Sequence, residues 1–112
     1  MKINDVIDQI NQELANKRKI LNKDEHSHIE VFASWERKMG TLKEATTRLY
    51  WVSPDKGISL IKEISVGGQV YNGEEQTLIE ESNKKAIGYL VKLMLTSSEA
   101  LVNGTIMELL ND

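Results

Sequence analysis

Every seventh residue from Ile7 to Leu49 falls on one stripe: Ile7, Leu14, Leu21, His28, Trp35, Leu42, Leu49. Six of these seven are apolar, and a weaker stripe runs three residues later through Ile10, Lys17, Asp24, Val31, Lys38, Ala45 and Val52. Apolar side chains recurring about every 3.5 residues are the pattern of a helical seam. This seam occupies almost half the chain. It predicts long helices whose apolar faces need a partner, with Ile7, Leu14, Leu21, Trp35, Leu42 and Leu49 as the interface.

The seam is read as two helices. Asn4 is placed to cap the first, with Asp5 and Asp8 in the turn where the helix dipole favours negative charge. The pattern fades at Asn22-Lys23-Asp24-Glu25, and Ser27 to Glu30 has the spacing of a capping box that restarts a helix. Helices over 4–22 and 28–51 would each be about 28–36 Å long and fold back as an antiparallel hairpin. The continued seven-residue register also admits one long helix. Gly40 would lie inside the second helix at a cost of about 1 kcal/mol relative to Ala, as a close helix contact, a weak point or a tolerated residue.

The C-terminal half is expected to be compact and mainly helical. Ser53-Pro54-Asp55 has the order of a helix start. Ile58, Leu60, Ile61 and Ile64 then suit either a short helix or a strand, ending at Gly67-Gly68. Residues 74–95 carry Leu78, Ile79, Ala86, Leu90, Leu93 and Met94 at three- and four-residue spacing, which predicts a helix. Thr96 to Glu99 is a second capping-box pattern, expected to start a last helix. Asn72-Gly73 and Asn103-Gly104 have the composition of hairpin turns, so a small β-hairpin near Asn72-Gly73 is the alternative. The expected fold is therefore mostly α, a single domain over 1–112. Its long N-terminal helical hairpin (1–52) carries a C-terminal helical half (53–112).

Composition narrows the functions. Forty per cent apolar and 28% charged residues describe a globular chain rather than a disordered one. There is no cysteine, which removes disulfides and cysteine zinc sites and suits a reducing, cytoplasmic setting. The charged, amphipathic start is not that of a signal peptide, and no apolar stretch suffices to span a bilayer. Net charge is +1 over residues 1–56 and −4 over 57–112. The acidic half repels nucleic acid and anionic lipid.

Catalytic patterns are missing. Asp24 to Glu30 holds both histidines, and His26 and Glu30 on one helix face would suit a metal. Two histidines with carboxylates and nothing else make a poor site, so a solvated junction is the better account and no metal or cofactor is expected. His28-Ile29-Glu30 also has the His-x-Glu spacing of zinc deaminases, which need cysteines this chain lacks. No Gly-x-Ser-x-Gly elbow exposes a serine, the adjacent pairs Glu74-Glu75 and Glu80-Glu81 diverge on a helix, and Gly67-Gly68 and Gly73 lack a phosphate loop's Lys-Ser/Thr. Lys17-Arg18-Lys19 and the later Arg37, Lys38, Lys43 and Arg48 are spread rather than pooled, so nucleic-acid binding is disfavoured.

Arg48-Leu49-Tyr50-Trp51-Val52 is the densest bulky run, and Arg, Tyr and Trp are the residue types enriched where proteins meet. Three consecutive bulky residues cannot share one helix side, so Tyr50 or Trp51 is expected on a second surface. The expected function is a small, non-enzymatic, cytoplasmic interaction protein, a regulator, adaptor or inhibitor that forms a homo-oligomer or binds a partner protein. The alternative is a protein that binds or sequesters a small ligand such as a nucleotide at a subunit interface, with Arg48, Tyr50, Trp51 and Tyr71 supplying stacking and charge.

Overall fold

The computed structural model describes residues 1–111. Helix α1 (Ile3–Ile20) leads into three strands, β1 (His28–Met39), β2 (Leu42–Ser53) and β3 (Gly57–Gln69), followed by α2 (Glu75–Asn103) and a short α3 (Ile106–Leu110). The strands form one antiparallel meander with β2 in the middle. With 47% helix and 33% strand the fold is α+β. The expected mostly helical fold and its long helical hairpin are therefore corrected.

The correction lies in 28–53. Val31, Phe32 and Trp35 on β1, and Thr46, Thr47, Tyr50, Trp51 and Val52 on β2, are the β-branched and aromatic types that suit a pleated surface. Between the strands Met39 pairs with Leu42, leaving Gly40-Thr41 as a two-residue turn. Gly40 has φ +56° and Thr41 no positive φ, the pattern of a type II′ turn. The glycine that a helix would only tolerate is thus what the hairpin requires. Strand side chains alternate faces, so each step of seven within a strand changes side. His28 therefore faces away from Trp35, and the stripe is not a seam. Ile7, Leu14 and Leu49 are buried, whereas Leu21, Trp35 and Leu42 are exposed.

Other junctions differ as well. Ser53-Pro54-Asp55 starts no helix; it turns β2 into β3, with Ser53 opposite Gly57. Residues 58–64 take the strand alternative. Asn72-Gly73 lies in the loop before α2 and forms no hairpin. Gly104, with φ +72°, is the left-handed cap that ends α2. The Asn4 cap is not made, since α1 starts at Ile3 without a side-chain cap. Ser27 hydrogen-bonds through N–H and Oγ to Glu25, not to Glu30. At Thr96–Glu99 the helix does not restart; it kinks at Ser97, and Thr96 Oγ1 donates to the Lys92 carbonyl. The helices expected over 4–22 and 74–95 are present, the second extending to Asn103.

Both long helices pack on one face of the sheet. They run parallel to each other: residues 2–4 lie beside Gln76, Glu80 and Asn83, and Arg18 reaches Leu101 and Val102. Ile7, Ile10 and Leu14 from α1 meet Ile29, Leu49 and Trp51 from the sheet and Leu90, Leu93 and Leu101 from α2. Leu90 is wholly buried at the centre, whereas Leu95 on the same helix is exposed. Leu90→Ala is expected to cost about 3 kcal/mol through lost burial and the cavity left behind, and Leu95→Ala under about 0.5 kcal/mol. Urea titration of the two variants checks the contrast.

Candidate interaction surface

Alternation along the strands assigns the two sheet faces. Ile29, Val31, Ala33 and Trp35 on β1, and Lys43, Ala45, Thr47, Leu49 and Trp51 on β2, point toward the helices. The intervening residues form the opposite face, which no element of the described chain covers. Cross-strand rows there run Glu30–Tyr50–Leu60, Phe32–Arg48–Glu63 and Ser34–Thr46–Ser65, with Val52 beside His28 and Ile58.

One half of this open face is apolar. Phe32 is 61% exposed, Ile58 67% and Leu60 46%, and half-buried Tyr50 and Val52 lie between them. The other half is polar. Arg48 Nε donates to Glu63 Oε2 at 3.0 Å, and the hydroxyls of Thr46 and Ser65 are 3.0 Å apart. Lys38 pairs with Glu36 and lies 3.7 Å from Glu44. The hydrogen bond from Lys38 holds the Glu36 carboxyl below its ordinary pKa, and the same bond raises the Lys38 ammonium. Among the described residues, Glu30, Glu36, Glu44 and Glu63 share this face with Lys38 and Arg48 as its permanent cations, so the face is acidic.

The four residues expected to contact a ligand do not share a site. Arg48 and Tyr50 are on the open face, Trp51 is in the core on the other side of the sheet, and Tyr71 is exposed in the loop before α2. Tyr50 and Trp51 thus divide between surface and core, as neighbours on a strand must. Among the described residues no group of three or more His, Asp or Glu side chains is placed to hold a metal. His26 pairs with Asp24, and His28 with Glu30 on the open face. No described helix is long and apolar enough to cross a membrane.

Phe32, Ile58 and Leu60 were not singled out by the seven-residue stripe. For Phe32 the signal is alternation, since Glu30, Phe32 and Ser34 interleave with Ile29, Val31, Ala33 and Trp35; its grouping with Ile58 and Leu60 depends on strand register. Two cations also have unexpected places. Arg18 is buried and hydrogen-bonds three main-chain carbonyls, and Lys43 is wholly buried against Glu75 and Asn72. Neither contributes to a surface basic patch.

No protein-family model matches the chain, and no significant match to it was found among curated proteins or solved structures.

Proposed function

We propose that this protein is a small, non-enzymatic interaction module that holds an apolar segment of a partner protein, flanked by Lys or Arg, against its open sheet face. One observation carries the reading: Phe32, Tyr50, Val52, Ile58 and Leu60 form a contiguous apolar patch on a face without cover. Grouped apolar side chains on a protein surface are typical of interaction sites. The excess of carboxylates around the patch favours basic flanks in the partner and repels nucleic acid. The cytoplasm is the compartment we assign it, from the cysteine-free composition.

A peptide array tests this function. Peptides carrying apolar residues flanked by Lys or Arg should bind more tightly than the same peptides flanked by Asp or Glu, and added salt should narrow the difference. Replacing Phe32 and Leu60 together by Glu should weaken binding about tenfold or more, as loss of central apolar contacts does. Equal binding by that double variant, or a preference for acidic flanks, would overturn the reading.

A further inference from the structure

The sheet has two edges, and they differ. On β3 the pairing with β2 slips between Leu49 and Tyr50, leaving Ile61 as an extra, bulged residue, and Gly67-Gly68 follows. Bulges and glycines blunt an edge against further pairing. On β1 the pairing is regular from His28 to Arg37, with neither proline nor glycine, and its one register shift falls at Lys38, beyond that stretch.

Asn11 on α1 shows which groups this edge presents. Its side-chain Nδ2 donates to the Ile29 carbonyl at 2.8 Å, and its Oδ1 accepts from the Ile29 N–H at 2.9 Å. The Ile29 amide and carbonyl therefore point away from β2, and the Asn11 side chain occupies the place of a neighbouring strand. Main-chain groups alternate along an antiparallel strand. Val31, Ala33, Trp35 and Arg37 accordingly direct theirs outward too, where no described residue plays the part of Asn11.

We propose that this unprotected half of β1 pairs antiparallel with β1 of a second copy, with Ser34 on the two-fold axis, joining two sheets into one of six strands. Asn11 and the count of free positions together select the register. An axis at Phe32 or Ala33 would call on Ile29, whose edge is already taken, and an axis at Ala33 would also set Glu30 against Glu36. An axis at Ser34 uses all four free positions and stops short of Ile29. Val31 then faces Arg37 of the second copy and Ala33 faces its Trp35, each such pair exchanging two hydrogen bonds.

The register also fixes which side chains meet on each face. On the open face Phe32 lies opposite Glu36 of the second copy, and Glu30 comes near its Lys38 at the bulge that ends the regular stretch, a contact of opposite charges. On the other face Trp35, 42% exposed in the single chain, lies over the small Ala33 of its neighbour. The pairing does not depend on the open face binding a peptide, so either proposal can fail alone. Both apolar patches would lie on one continuous surface.

Three variants test the pairing. Analytical ultracentrifugation of the unmodified protein at micromolar concentration should show a dimer. Ala33→Pro removes an outward N–H while sparing the β1–β2 ladder, so it should leave circular dichroism unchanged and give a monomer. Ser34→Cys introduces the only cysteine into a non-hydrogen-bonded pair about 4.5 Å apart between Cα atoms, within disulfide range. It should cross-link to itself under mild oxidation, whereas Phe32→Cys, off the axis, should not. A monomeric unmodified protein, a dimeric Ala33→Pro variant, or cross-linking through Phe32→Cys in place of Ser34→Cys would overturn the proposal.

Discussion

Arg18→Met is expected to lower stability by about 4 kcal/mol, among the largest effects of any single replacement in this chain. The guanidinium donates through Nε to the Val102 carbonyl at 2.8 Å, through one terminal nitrogen to Ser27 at 2.7 Å, and through the other to Leu101 at 2.7 Å. It thus joins the end of α1, the entry to β1 and the end of α2. The last carbonyls of a helix have no partner within it. Gly104 N–H reaches Leu101, and Thr105 N–H reaches Ala100, but the Val102 carbonyl relies on Arg18. The last turn of α2 has no basic residue of its own, so Arg18 also supplies the positive charge that the helix dipole favours there.

Methionine fills much of the same volume and makes none of these bonds. A hydrogen bond to a charged group contributes about 1.5–3 kcal/mol, and leaving a buried carbonyl unpaired adds its desolvation cost. Burial pulls the Arg18 pKa below its ordinary value while Glu25 opposes that shift, and the group stays charged throughout the range where proteins are handled. For a domain of this length the loss corresponds to about 15 °C in thermal midpoint. Arg18→Lys should recover less than half, because one ammonium cannot reproduce the planar fork that meets three carbonyls. Scanning calorimetry of the three proteins checks the order. A midpoint for Arg18→Met within a degree or two of the unmodified protein would show that water replaces the guanidinium at no cost.

Arg18 also shows how the sequence was both informative and misleading. It follows Ile3, Ile7, Ile10 and Leu14 at helical spacing, so the apolar stripe that correctly located α1 also pointed to a buried arginine. Reading it within Lys17-Arg18-Lys19 as a surface charge run hid that position. Helix α2 was legible for a similar reason, because Leu78, Ala86, Leu90 and Leu93 repeat at a spacing that only a helix brings to one face. The two strands at 28–53 were lost because a seven-residue comb samples a two-residue alternation without registering it. The bulky run at Arg48–Val52 is plain in the sequence, but its division into Arg48 and Tyr50 outside and Trp51 inside is a property of strands. The apolar patch was beyond reach of any local reading. It assembles Phe32, Tyr50 and Leu60 from three strands, and their adjacency depends on the register of both hairpins.

Glu75→Gln tests the other buried cation. Lys43 lies on the helix-facing side of β2, wholly buried, with Nζ 2.8 Å from Glu75 Oε1, 2.9 Å from Asn72 Oδ1, and 5.4 Å from the centre of the Trp35 ring. Neutralising its one carboxylate partner leaves an uncompensated ammonium on a buried side chain, which lowers stability. Acid does the same chemically. The Lys43 hydrogen bond holds the Glu75 carboxyl below its ordinary value, helped by the backbone N–H groups of Glu75 and Gly73. A carboxyl depressed in the folded state contributes stability fully present above its unfolded pKa, about 4.3, and lost as pH falls through the lower folded value. Urea unfolding at pH 7 should therefore separate Glu75→Gln from the unmodified protein, and the gap should narrow as the pH falls below the unfolded carboxyl value. Lys43→Met combined with Glu75→Gln should regain most of the loss at pH 7, since exchanging both charges for neutral groups removes the unpaired ammonium. A gap independent of pH would assign the cost to packing around Asn72 and Trp35 and not to the charge on Lys43.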